Sequence, residues 1–243
     1  MNLSKFILPL FLEAVFLSSC SSVYMPNVPV APMFSKKGEL QAGGHVSFKG
    51  NLNANLALAV SDHVAVIANG SVMDNAAKRK DFSQSLWEVG VGYFSTFGEE
   101  NKRVFEVYGG YGKGNTDRAY KDVTYDGPVL KELQQIGFDK YFLQLNYSSK
   151  KNKSIKLFGE RYPLSYGTVL RVSHVSMTDF TSNYVSQRLE DNVFIEPIFF
   201  TRMALSNNFQ LQYSNGTNIG LIKRNHLKAG NTVFTFGIVY NLF

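Results

Sequence analysis

A histidine lies two residues before a serine at His174 and Ser176, within the segment SHVSM. A histidine that accepts the proton of a serine hydroxyl makes that oxygen a nucleophile, so the pair has the residue types of a hydrolase. On an extended strand the two side chains would share one face, because successive side chains alternate. The sequence offers no acidic third partner, and two polar side chains at a membrane interface are the simpler interpretation. We expect a protein that is not an enzyme and assign no catalytic residue, with a lipid-modifying hydrolase as an alternative.

Other charged residues lie in the middle of largely apolar segments. They are Glu88, Glu106, Arg171, Glu196 and Arg202. A charge in a narrow apolar space is costly unless it is paired, so these five predict a network of salt bridges inside a barrel. A narrow pore for small solutes, or a ligand pocket, is the alternative use of such a lumen. Four scattered histidines and one cysteine form no zinc pattern, so we expect neither a metal nor a cofactor.

The elements that position these residues are strands. From Gly38 onward apolar and polar residues alternate, which is typical of strands with two different faces. The predicted strands lie near residues 40–48, 52–60, 64–72, 85–94, 103–113, 140–147, 164–176, 193–205, 209–213 and 232–242. Their number is about ten, with eight or twelve as alternatives. Residues 129–136 have the pattern of a short helix.

These strands predict an all-β fold, a closed antiparallel up-and-down membrane β-barrel over residues 38–243. Closure follows because unpaired strand edges cannot be satisfied in lipid. The apolar faces should point toward lipid, since aromatic residues lie near strand ends and charges lie on the opposite faces. A soluble barrel with its apolar side chains turned inward is the alternative.

Short and long connections mostly alternate along the chain, as in outer-membrane barrels with short periplasmic turns and long external loops. The exceptions are a short first hairpin at Lys49-Gly50 on the outer side and a long connection from Ser148 to Pro163. Short turns are predicted at 61–63, 95–102 and 206–208, and long polar loops at 74–84, 115–139, 178–192 and 214–231. Basic and aromatic residues of the loop 115–139 suit recognition of a glycan, lipopolysaccharide or a protein. They are Arg118, Tyr120, Lys121 and Tyr125.

The single cysteine, Cys20, follows a short positive start and an apolar run over residues 6–19. The run is shorter than the roughly 20 residues that span a bilayer, and its layout is that of a secretory signal. Leu17-Ser18-Ser19-Cys20 resembles the lipobox of bacterial lipoproteins. The resemblance implies a signal peptide over residues 1–19 and a covalent lipid on Cys20. Residues 20–37 are Pro-rich, which predicts an extended tether along the base of the barrel.

The formal net charge is +6 with a pI of about 9.2. The lysines are scattered among turns, which favours solvated loops beside anionic lipid rather than a nucleic-acid surface. The expected partners are outer-membrane lipid and lipopolysaccharide, together with an envelope protein.

Three short segments resemble the small outer-membrane β-barrel lipoproteins of the Bacteroidetes type, most of which have no assigned activity. They are PMFSKKGE at 32–39, SDHV at 61–64, and Glu196-Pro197 with Arg202. The resemblance implies a lipid-anchored and membrane-embedded protein of the cell outer membrane, with a structural or binding role. Surface-exported lipoproteins of such bacteria often carry acidic residues just after the cysteine, whereas the segment SSVYMPN has none. The resemblance therefore implies an anchor in the inner leaflet of the outer membrane.

The motif His174-Val175-Ser176 separately resembles the strand motif of outer-membrane lipid A deacylases. Met177 stands where that family carries asparagine.

Overall fold

The structure, a computed structural model, describes residues 22–125, 127–157, 159–228 and 233–242. Its elements are β1 (Leu40–Ser47), β2 (Leu52–Ala59), β3 (Val64–Ala76), β4 (Lys80–Phe97), the 3-10 turn η1 (Glu99–Asn101), β5 (Arg103–Thr124), β6 (Gly127–Leu157), β7 (Glu160–Ser182), β8 (Val185–Ser186), β9 (Asp191–Ala204), β10 (Phe209–Gly216), β11 (Ile219–Gly220) and β12 (Val233–Leu242). Cys20 and the segment 1–19 lie outside the described residues. No helix among the described residues is long and apolar enough to span a bilayer.

The ten longer strands close into an antiparallel barrel. Strands β1 to β7 pair in chain order, and the circle continues through β9, β10 and β12 back to β1. The two-residue strands β8 and β11 pair only with β7 and β9, near one rim. Every barrel strand therefore has a hydrogen-bonded neighbour on both sides, as a span through lipid requires. The predicted ten-stranded up-and-down barrel is confirmed.

The exterior of the barrel is apolar and the interior is polar or charged. In β2, for example, Leu52, Leu56 and Leu58 are exposed while Asn53 and Asn55 are buried. Two bands of aromatic side chains ring the outside, as in membrane barrels. One band includes Trp87, Tyr111, Tyr141, Tyr213 and Phe236, and the other includes Tyr93, Phe97, Tyr147, Phe209 and Tyr240. The apolar faces therefore point outward, as the placement of aromatic and charged residues predicted.

The two ends of the barrel differ. The inner end carries Leu40, Leu242 and the turns 60–63, 98–102 and 205–208. We call this the inner end because such barrels place their short turns on the periplasmic side. At the opposite outer end, β5 and β6 continue past Tyr111 and Tyr141 as a long hairpin, and the loop 217–228 crosses the rim.

Three predicted irregular segments are in fact strand. The predicted loops 74–84 and 115–139 form the projecting ends of hairpins β3–β4 and β5–β6. The helix predicted at 129–136 is wrong, because these residues belong to β6. Cross-strand partners on β5, and on β7 from Gln134 onward, satisfy their backbone groups there. A short helical pattern is a weak preference that tertiary pairing overrides.

The Pro-rich segment lies inside the barrel rather than along its base. All residues from Ser22 to Phe34 are buried except Met25, which is partly exposed. Each of the three buried apolar clusters contains side chains from this segment: Val23 and Tyr24 in one, Val30 and Phe34 in the second, and Ala31 and Met33 in the third. The hydrophobic core therefore forms between the barrel wall and the chain's own N-terminal region.

Glycines in the wall make room for this segment. Six inward-facing glycines pair directly with a large inward side chain on the next strand: Gly92 with Tyr108, Gly110 with Phe142, Gly114 with Phe138, Gly167 with Phe200, Gly216 with Ile198 and Gly237 with His45. A Cβ at Gly110 would lie 2.3 Å from the Phe142 ring. The large side chain lies against the glycine and leaves the barrel axis open.

The Gly110→Ala substitution should destabilise the barrel, because the added methyl group meets both the Phe142 ring and the Val89 carbonyl oxygen at 2.3 Å. Overpacking of this kind costs about 1–3 kcal/mol. The temperature at which the unboiled, fast-migrating gel band disappears should fall. Gly109→Ala is the matched control, since a Cβ there meets nothing closer than 4.0 Å. An equal fall in both variants would contradict the packing role.

Candidate functional site: a filled lumen and its outer mouth

Residues 22–34, which we call the lumen segment, run the length of the barrel axis. At the outer end the Thr116 hydroxyl donates to the Val23 carbonyl (2.9 Å), and halfway along Gln144 donates to the Val30 carbonyl (2.7 Å). Near the inner end the Met33 N–H donates to Glu106 (3.1 Å). Several backbone groups that a sheet would normally satisfy are thus bonded to side chains of the wall.

The prolines of the lumen segment fit this arrangement. A lone extended strand in a lumen has no neighbouring strand, and a buried N–H without a partner costs about as much as a lost hydrogen bond. Pro26, Pro29 and Pro32 have no N–H to satisfy. The N–H of Met25, just before Pro26, donates to Gln84 (3.0 Å), and the N–H of Val28, just before Pro29, donates to Asn53 (3.1 Å). The composition that predicted a tether is therefore also suited to a strand enclosed by side chains.

A charged network joins the lumen segment to four strands of the barrel, β4, β6, β7 and β9. The Lys140 ammonium lies 2.7 Å from Glu88 and 3.5 Å from Glu196, and Arg171 lies 3.0 Å from Glu88. The Tyr24 hydroxyl of the lumen segment donates to Glu196 (2.9 Å). All five side chains are at most 1% exposed. Opposite charges in contact offset the cost of removing each from water.

The other two predicted lumen residues lie closer to the inner end. Glu106 accepts hydrogen bonds from Met33 N–H and from Asn146 (3.0 Å), and Arg202 donates to Gln212 (2.7 Å). The five predicted residues are thus all buried in the lumen but form two groups rather than one. Among the described residues the buried charged side chains balance, with Glu39, Glu88, Glu106 and Glu196 against Arg118, Lys140, Arg171 and Arg202.

Two members of the network, Lys140 and Tyr24, were missed from the sequence. Lys140 shares the parity of Gln144 and Asn146 on β6, so the alternation already placed it on the inward face. Tyr24 lies before the first strand, and no local pattern places it beside Glu196, which is 172 residues away in sequence.

Replacing Lys140 with methionine should lower the free energy of unfolding by about 3–5 kcal/mol, because Glu88 and Glu196 lose a buried partner. Denaturant unfolding in lipid vesicles, followed by the fluorescence of Trp87, measures this. The matched control is Lys131→Met, whose partner Asp122 is exposed (3.3 Å), and such a pair is worth at most about 1 kcal/mol. Similar losses in the two variants would contradict a buried network centred on Lys140.

The outer mouth of the lumen is covered by residues 221–228, the described part of the loop that follows β11. Leu227 of this loop is fully buried in the same cluster as Val23 and Tyr24. The Glu190 carboxylate holds the loop by accepting the N–H groups of Asn225 (3.1 Å), His226 (2.9 Å) and Leu227 (2.8 Å). Partial burial raises the pKa of Glu190, but these three donors outweigh it and hold the pKa below its ordinary value.

The pKa of Glu190 is lower in the folded state than its unfolded value of about 4.3. The ionised carboxylate therefore stabilises the loop fully above the unfolded pKa, and this stabilisation is lost as the pH falls through the folded pKa. Hydrogen exchange, corrected for the intrinsic pH dependence, should therefore show the amides 225–227 losing protection below about pH 4. In Glu190→Gln this acid-induced loss should be much smaller. An equal loss in both proteins would show that another group controls the loop.

A polar pocket of about 410 Å³ lies directly outside this covered mouth. It is lined by Arg79, Arg118, Tyr120, Lys121, Asp122, Lys131, Glu132, Gln134, Asn225 and His226. Four cations face two carboxylates, so the lining is positive by two charges with histidine neutral. Since Arg118 is two residues beyond Thr116 on the inward face of β5, the floor of the pocket lies just above the lumen segment.

Three of the four predicted recognition residues line this outer pocket. Arg118 is 2% exposed, donates to Gln134 and lies over the Tyr120 ring (5.7 Å). Lys121 is paired with Asp81 (2.5 Å). Tyr125 is fully exposed at the tip of the β5–β6 hairpin, away from the pocket lining. The pocket therefore has a fixed floor and a more exposed rim that includes Arg79 and Lys131.

The histidine and serine pair lies on the outside of the barrel near the outer aromatic band. The Ser176 hydroxyl is 3.5 Å from His174 Nδ1, and Asp191 of β9 is 3.6 Å from His174 Nε2. The sequence had not indicated Asp191, which pairing of β7 with β9 brings opposite Ser176. Both distances are long for hydrogen bonds.

The surroundings of Ser176 do not suit stabilisation of a negative intermediate. Asp139 and Asp191 lie opposite it on its two neighbouring strands, so two carboxylates flank the position. The backbone of β7 is engaged in ladders on both sides, and an oxyanion hole needs N–H groups aimed at the reacting oxygen.

Comparison with known proteins finds no matching family model and no matching curated protein. Among solved structures, the chain is similar to the translocator domain of autotransporter NalP from Neisseria meningitidis (11% identity, 84% of this chain and 86% of that one, TM-score 0.44). It is also similar to KdgM porin (9% identity, 84% and 99%, TM-score 0.37) and to CarO2 from Acinetobacter baumannii (11% identity, 84% and 98%, TM-score 0.28). All three matches are at low sequence identity and have TM-scores below 0.5.

Proposed function

We propose that this protein is a closed outer-membrane barrel with a binding role at the cell envelope, and that its outer pocket takes an anionic saccharide. The observation that carries the proposal is the lumen segment, which fills the axis of the barrel directly beneath a positively charged pocket. A barrel with a filled axis offers its functional surface at the rim rather than along a channel. The covalent lipid on Cys20 and the Bacteroidetes lipoprotein type remain predictions.

The lining of the outer pocket favours this ligand class. Arg79 and Lys131 at the rim suit phosphate or carboxylate groups, which guanidinium and ammonium groups bind through charge-assisted hydrogen bonds. Tyr120 supplies an aromatic face, and Asn225 and Gln134 supply amide groups for hydroxyls. Lipopolysaccharide, whose core carries phosphates and sugars, is the source of such a ligand at an outer-membrane surface.

The pore alternative is less favoured because the lumen segment contributes to all three apolar clusters and bonds the wall along its length. The hydrolase alternative is less favoured because His174, Ser176 and Asp191 are loosely spaced and flanked by Asp139.

The double variant Arg79→Gln/Lys131→Gln should bind phosphorylated lipopolysaccharide core oligosaccharide about tenfold or more weakly than the unmodified protein. Calorimetry of the protein in detergent measures the affinity. The loss follows from removing two charge-assisted contacts, each worth about 1.5–3 kcal/mol when fully formed. Lys36→Gln/Lys37→Gln removes the same charge at the exposed inner end and should bind normally. The dephosphorylated oligosaccharide should bind weakly to all three proteins. Equal affinities for the two oligosaccharides, or equal losses in the two double variants, would reject an anionic saccharide in this pocket.

The intact protein should give no single-channel conductance in planar bilayers across a range of salts. Replacing Gln144 and Thr116 with alanine removes two bonds that hold the lumen segment and should produce brief conductance events as the segment fluctuates. The heat-dependent gel shift serves as the folding control for the variant. Steady conductance in the unmodified protein would favour the narrow pore instead.

A further inference from the structure

The lumen segment enters the barrel from the outer end. Ser22 donates to the Lys228 carbonyl of the loop that covers the outer mouth (3.4 Å), and Val23 is held by Thr116. Fifteen residues later the chain is at the opposite rim, where Lys37 N–H donates to Asp62 (3.0 Å) and Gly38 N–H to the Ala59 carbonyl (2.9 Å). The first strand then begins at the inner end, beside the last.

This direction leaves one opening for the residues that precede Ser22. A return through the lumen is blocked, because the lumen segment and its three apolar clusters fill the axis. A lateral exit is blocked, because each barrel strand is hydrogen-bonded to both neighbours. The outer mouth is where the described chain starts, beside Lys228 and the floor of the outer pocket.

We propose that the barrel carries its own N-terminal end to the outer face and displays it there. The barrel closes around the segment 22–34 and holds it in the lumen. The chain therefore crosses the membrane once through the lumen before it forms the wall. The proposal needs neither the outer pocket's ligand nor the lipid.

With the N-terminal end at the outer face, a lipid on Cys20 would be anchored in a different leaflet from the one that the sequence predicted. Cys20 is two residues from Ser22, and two residues span at most about 7 Å. An acyl group there would start at the outer mouth and would enter the outer leaflet. The sequence alone predicted the inner leaflet, from the lack of acidic residues after the cysteine.

The test is labelling of intact cells with a maleimide coupled to a polyethylene glycol too large to cross the outer membrane. Three variants of the full chain are compared: Ser21→Cys for the N-terminal end, Tyr125→Cys for the exposed tip of the β5–β6 hairpin, and Asn207→Cys for an exposed turn at the inner end. The wild-type chain gives the background from Cys20. A heat-dependent gel shift confirms that each variant is folded.

We expect Ser21→Cys and Tyr125→Cys to be labelled in intact cells, and Asn207→Cys only after the outer membrane is permeabilised. Labelling of Ser21→Cys only after permeabilisation, with Tyr125→Cys labelled in intact cells, would place the N-terminal end at the periplasmic side and overturn the proposal. Labelling of Asn207→Cys but not Tyr125→Cys in intact cells would show that the barrel has the opposite orientation in the membrane, which would also overturn the proposal. Labelling of Ser21→Cys only after denaturation would leave the end enclosed in the lumen, which also contradicts display.

Discussion

The rest of the structure depends on the bonding of the lumen segment's backbone to side chains of the barrel wall. An extended chain without a neighbouring strand would leave buried N–H and C=O groups unsatisfied. Here prolines remove some donors, Gln84 accepts the N–H of Met25, and Gln144 and Asn146 donate to the Val30 carbonyl. Each of these polar side chains faces inward on a strand whose opposite face is apolar. The same alternation that suits the exterior to lipid therefore supplies the lumen with hydrogen-bonding groups.

The wall and the lumen segment are matched in size as well as in polarity. Small barrels of about eight strands are filled by side chains alone, while much wider barrels leave a channel. With ten strands, this barrel pairs glycines with large residues on neighbouring strands, such as Gly110 with Phe142 and Gly92 with Tyr108. The large side chains then lie along the wall instead of meeting at the axis. The space that remains accommodates one extended chain, and that chain completes the hydrophobic core.

Filling the axis also determines where recognition takes place. The buried charges balance one another, and Lys140 links two carboxylates with Tyr24 nearby. The charged groups of the lumen network therefore contact other groups of the same chain. Outside the covered mouth, the outer pocket is lined by more cations than carboxylates, and the buried Arg118 forms its floor. The exposed charges at this rim, including the Lys131–Asp122 pair, face solvent and can meet an external anion, whereas the enclosed charges are out of reach of one.

The sequence by itself determined the barrel, its approximate strand number, the outward apolar faces and the burial of Glu88, Glu106, Arg171, Glu196 and Arg202. The strand number and the two different faces follow from period two, which is local and can be counted along the chain. The outward direction of the apolar faces follows from aromatic residues near strand ends and charges on the opposite faces. The register decided the rest: it placed Asp191 opposite Ser176, and it brought Arg118 and Tyr120 over the lumen. Only the closed tertiary structure shows that the Pro-rich segment lies inside rather than beneath the barrel. An extended, apolar, proline-containing chain has the same local pattern in either place, and its position depends on partners such as Glu196 that lie far away in the sequence.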